Sequence, residues 1–135
     1  MPKFYPRPEC LLDLVEQIID QQDLESQFFV DVDIPGEIPL PAELRWTQEL
    51  VESLIRQSTQ YMPQGGELTI VGWADGGACE LEISDSGAPV ESRHLNSISP
   101  LAAASGAELI WQNCPQGGGA VTIRFDEQLR QRRAA

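Results

Sequence analysis

Glu67-Leu68-Thr69-Ile70-Val71-Gly72-Trp73-Ala74-Asp75-Gly76-Gly77-Ala78-Cys79-Glu80-Leu81-Glu82-Ile83-Ser84-Asp85-Ser86-Gly87 is the stretch on which the fold turns. Residues 67–74 alternate well enough for a strand, and Cys79, Leu81 and Ile83 then line one side of a second, over 78–84. Asp75-Gly76-Gly77 between them predicts a hairpin turn, because glycine tolerates positive φ. The second strand runs directly into Asp85-Ser86-Gly87, and a loop is expected from Asp85 to about Asn96.

Upstream of this hairpin the period changes. Leu44, Thr47, Leu50, Val51, Leu54, Ile55 and Ser58 share one side at helical spacing, and Pro63-Gln64-Gly65-Gly66 stops that helix. A proline-broken connector over 34–41 separates it from a Phe- and Val-rich strand over 27–32. Before that strand, Leu11, Leu12, Leu14, Val15, Ile18 and Ile19 predict a helix over about 8–22, with Pro8 in its first turn. Downstream, 98–105 reads as a short helix, with Ser97 or Ser99 as its cap and Gly106 closing it. Two further strands follow, over 107–112 and 119–125. The order predicts a two-layer α/β sandwich: a mixed sheet of about five strands with helices on one face, in a single domain over 1–126 with a tail over 127–135.

Composition narrows the partners. The 135 residues carry a net charge of −12, which argues against nucleic acid or an anionic membrane surface. The one basic cluster, Arg130, Arg132 and Arg133, reads as a solvated tail. No apolar run approaches the length of a membrane span, and the first ten residues lack a signal peptide's apolar stretch, so a cytoplasmic protein is expected. Cys10, Cys79 and Cys114 are too far apart for a zinc or CxxC pattern and are expected as buried structural thiols.

Taken together, the elements resemble the ATPase domain of sensor histidine kinases, the GHKL or Bergerat fold, over nearly the whole chain. Residues 48–66 look like the N-box helix and the turn after it, Ile83-Ser84-Asp85-Ser86-Gly87 like the first glycine box, 101–111 like the helix and strand after the lid, and 117–125 like the closing hairpin. The resemblance implies that Asp85 accepts the adenine amino group and that Gly87 lets the backbone approach the base; read alone, Asp85 simply starts the turn before Gly87. It places Gln57 where the family has a magnesium-holding asparagine, Ser53 at the base-equivalent position one turn earlier, and Tyr61 at an aromatic position that suits packing better than stacking on a ligand.

The sequence departs from the family in ways that matter chemically. Gln57 moves the amide out by one methylene, which ill suits the strict octahedral geometry of magnesium. Ser53 is a poor base at neutral pH. Gln60 replaces a cation that would reach phosphate. Pro89 replaces the second glycine of the box, and 88–100 lacks a glycine run able to cradle phosphates. His94, in this loop beside Arg93, reads as a surface residue. The expectation is a degenerate histidine-kinase-like ATPase domain that acts by contact with a response regulator or kinase, or by regulatory binding of ATP or ADP with magnesium, without phosphotransfer. The alternatives are an active small kinase resembling the anti-sigma-factor kinases, an adenine-nucleotide module without hydrolysis, and an unrelated interaction domain using Trp46, Trp73 or Trp111.

Overall fold

The computed structural model describes residues 5–41 and 43–126. The tail expected over 127–135, with its three arginines, lies outside the described residues.

Helix α1 spans Leu11–Gln21 and buries Leu11, Leu14, Val15, Ile18 and Ile19, the stripe its sequence spacing predicts. It begins three residues after Pro8 rather than around it. Cys10 is extended at φ −152° and ψ 172°, and the first helical N–H, that of Leu11, goes to the carbonyl of Ile38 at 3.1 Å. The proline-rich connector thus fixes where the helix can start. A short 3-10 turn, Leu24–Ser26, leads into strand β1, Phe28–Asp33. Ile34 and Ile38 of the connector are buried, which is how an irregular segment becomes part of the core.

Helix α2, Leu44–Gln60, is followed by the hairpin of β2, Gly66–Asp75, and β3, Ala78–Asp85. Helix α3, Ser99–Ser105, carries Pro100 in its first turn, where a missing N–H costs nothing. Neither Ser97 nor Ser99 caps it: the N-cap residue is Ile98, with no side-chain hydrogen bond. Gly106 ends it in the left-handed conformation at φ 68°, as the sequence predicts. Strands β4, Ala107–Asn113, and β5, Gly119–Asp126, complete the sheet.

The strands form one five-stranded sheet in the order β1-β2-β3-β5-β4. Strands β1 and β2 are parallel, joined through α2, and every other pairing is antiparallel. Leu68, Ile70, Leu81, Ile83 and Ile123 point from the sheet into the layer of helices, where Leu14, Ile18, Leu50 and Leu54 meet them at under 2% exposure. Among the described residues the helices cover this face only, so the two-layer mixed α/β sandwich expected from the sequence is the architecture found.

Candidate functional site

The end of β3 and the end of α2 meet. A β-carbon on Gly87 would lie 2.5 Å from the carbonyl oxygen of Tyr61 and 3.1 Å from Cγ of Met62, so only glycine lets the two segments touch. Ser86 fastens the same junction: its hydroxyl accepts the Glu67 N–H at 3.0 Å and donates to the sulfur of Met62. Asp85-Ser86-Gly87 therefore meets the C-terminal end of α2, the helix that bears Gln57. The glycine admits the α2 terminus, whereas the expectation was an approach to a base.

Asp85 is 6% exposed, and its carboxylate is already occupied. Arg93, from the loop after Gly87, donates Nη1 to Oδ2 at 2.8 Å and Nη2 to Oδ1 at 2.6 Å, a two-pronged pair whose side chains are each 1% exposed. The Gly87 N–H donates to Oδ1 at 2.9 Å, and that of Gly119 reaches the same oxygen at 3.4 Å. Nε and Nη2 also donate to the Ala88 carbonyl, 3.0 Å from Nε. Its plane lies over Tyr61, with Cζ 5.0 Å from the ring centroid, an arrangement that adds cation–π attraction.

The loop is held over the site from several directions. The Tyr61 hydroxyl accepts the His94 N–H at 2.8 Å. Asn113, at the end of β4, accepts the Val90 N–H at 2.8 Å and donates to Glu91 at 2.6 Å. Glycine makes room on the sheet side: a β-carbon on Gly119 would stand 3.0 Å from Cζ of Arg93. His94 contributes its backbone here, and the residue is exposed.

Of the residues picked out by sequence, Asp85, Gly87 and Tyr61 are brought together. Gln57 and Ser53 stand one and two turns before Tyr61 along one side of α2. Ser53 is half-buried. Gln57 is 6% exposed, and neither its amide oxygen nor its amide nitrogen has a hydrogen-bond partner in the structure. An amide stranded in this way costs about 1–3 kcal/mol relative to an apolar group of the same shape. Gln57→Met, nearly isosteric, is therefore expected to raise unfolding stability by about 1 kcal/mol or more in urea titration. A loss of stability would mean that the amide has a partner.

Magnesium nucleotide does not fit these residues as they stand. The carboxylate that would read adenine is saturated by a guanidinium, and the amide at the magnesium position is sealed in the interior. Burial first, and then the charges of Asp85 and Glu82, hold the Cys114 thiol above its ordinary value. Cys10, Cys79 and Cys114 are all half-exposed rather than buried as expected. Cys79 still packs against the core.

The residue that sequence reasoning passed over is Arg93. Its one signal was an isolated cation eight positions after Asp85, inside a short loop with few other charges.

No protein-family model matches the sequence. Histidine protein kinase DivJ of Caulobacter vibrioides is 28% identical over 75 residues, 55% of this chain, and the match spans 13% of that kinase. The nucleotide-free catalytic domain of histidine kinase ThkA superposes with a TM-score of 0.75 at 10% identity, over 87% of this chain and 94% of that one. ThkA in complex with the response regulator protein TrrA superposes with a TM-score of 0.76 at 9% identity, over 90% of this chain and 42% of that one. The superposition extends over most of the chain, and the architecture is an established one: this chain has the fold of the histidine kinase catalytic domain.

Proposed function

We propose that this domain works in signalling through protein contact and that its base pocket, closed by its own arginine, supports neither ATP turnover nor phosphotransfer. The observation that carries the reading is the buried Arg93–Asp85 pair. A guanidinium resembles the adenine edge in the respect that matters here: it is planar, it offers N–H groups to the carboxylate, and it lies on an aromatic ring. Adenine would have to displace it, and separating a buried pair costs about 3–5 kcal/mol, which corresponds to roughly 150- to 5,000-fold in affinity.

The departures in sequence point the same way. Gln57, Ser53 and Gln60 replace the groups expected to hold magnesium, activate a nucleophile and reach phosphate. A response regulator or kinase is the partner class favoured by the fold, and ThkA has been solved with a response regulator.

Thermal unfolding with and without millimolar magnesium ATP or ADP tests the reading. A ligand at about 100 times its dissociation constant adds roughly 2.7 kcal/mol of stability. The expected result is an unchanged melting temperature. A clear rise that Asp85→Ala removes would replace this reading with a nucleotide-binding one.

A further inference from the structure

The helices cover one face of the sheet, and the strand register shows what the opposite face presents. Val71 and Trp73, two apart on β2, form a short apolar ridge there. Val71 is paired with Asp33 of β1 on one side and Glu82 of β3 on the other, and Glu80 lies beside Trp73. Asp31 extends the β1 column of carboxylates, and Asp31 and Asp33 are exposed. Arg124 is the only basic residue in the five strands, and it is engaged with Glu80 at 3.6 Å and Asp126 at 3.4 Å. Phe29 on β1, at 81% exposure, and Ile110 on β4, at 52%, are further apolar points.

We infer that this open face is a docking surface for a partner protein's helix that presents an apolar side chain between two cations. The geometry sets the pattern. The carboxylate columns on β1 and β3 flank the ridge two strand spacings apart, about 10 Å. A helix brings residues i and i+7 about 10.5 Å apart on one side, with i+3 and i+4 between them. Lys or Arg at i and i+7 then meets the two columns while Leu at i+3 and i+4 covers Val71 and Trp73. A second copy of this chain is a poor occupant, because the same carboxylates would face one another, and nucleic acid and anionic membranes are repelled for the same reason. The inference names the surface and partner chemistry for the contact function proposed above, but it does not depend on the base pocket being closed.

The probe is a capped, alanine-based helical peptide with Lys at i and i+7 and Leu at i+3 and i+4, alongside a scrambled peptide of the same composition. It is titrated into the full chain while backbone amide resonances are followed. Shifts are expected in β1, β2 and β3, with affinity falling as salt is raised. Asp33→Asn with Glu82→Gln is expected to weaken binding about tenfold, and Trp73→Ala by a similar factor. Glu16→Gln with Glu25→Gln, an equal charge change on exposed residues elsewhere, should leave affinity within about twofold. Equal binding of the scrambled peptide, equal loss in the control variant, shifts centred on the helical layer, or no binding would each overturn the inference. A nucleotide-induced rise in melting temperature would overturn the closed-pocket reading and leave this one standing.

Discussion

Arg93→Ala is expected to destabilise the chain by about 3–5 kcal/mol, because it leaves the Asp85 carboxylate buried without its cation. Most of that cost is the stranded charge rather than the lost attraction. Removing both partners should therefore be milder than removing one, and Asp85→Ala with Arg93→Ala is expected to recover part of the loss in urea titration. If the two single costs instead simply add in the double variant, the pair is not a coupled unit. The single variant also reports on function. On the closed-pocket reading, removing Arg93 frees Asp85 for an adenine amino group over the Tyr61 ring, so ATP or ADP is expected to stabilise Arg93→Ala and leave the parent chain unmoved. A variant destabilised but blind to nucleotide would show that the pocket has lost more than its vacancy, with Gln57 and the loop over 88–98 the places to look.

The fold was legible because its signals are local and periodic. The stripe on α1, the alternation of β3, the Asp75-Gly76-Gly77 turn and the Gly106 cap each depend on a few neighbouring residues, and each appears where the spacing put it. Helix starts were less legible. Cys10 is extended and the Leu11 N–H answers Ile38, a partner 27 positions away that no local rule reveals. The site was half legible. The expectation that Asp85-Ser86-Gly87 lies against the helix bearing Gln57 and Tyr61 came from the family resemblance and not from any local rule. What fills Asp85 did not follow, because Arg93 comes from a loop with no periodicity and its meaning depends on where that loop folds. The three tryptophans show the same limit. Trp111 packs against the core, Trp73 stands on the open face, and Trp46 is 38% exposed beside Arg45, yet composition treats them alike.

Gly118→Ala is expected to be the other severe substitution, at roughly 2–6 kcal/mol, and its neighbour supplies the control. Gly117 and Gly118 both have left-handed backbone, at φ 102° and 97°, so alanine at either position incurs conformational strain of about 1–3 kcal/mol. They differ in surroundings. A β-carbon on Gly117 meets nothing within 4 Å, whereas one on Gly118 would lie 1.9 Å from the carbonyl oxygen of Asp85 and 2.9 Å from Cα of Ser86. Those are backbone atoms that cannot rotate away, so the β4–β5 turn must lift off the end of β3, with an overpacking cost of about 1–3 kcal/mol more. Lifting the turn draws Gly119 away from Asp85 and opens the wall against which Arg93 rests. The Gly118 variant should therefore exceed the Gly117 variant in urea titration, and amide exchange at Gly87 and Arg93 should quicken only in the former. Equal costs at the two positions would mean that the turn does not press on Asp85, and the Arg93–Asp85 pair would then lack the support that holds the pocket shut.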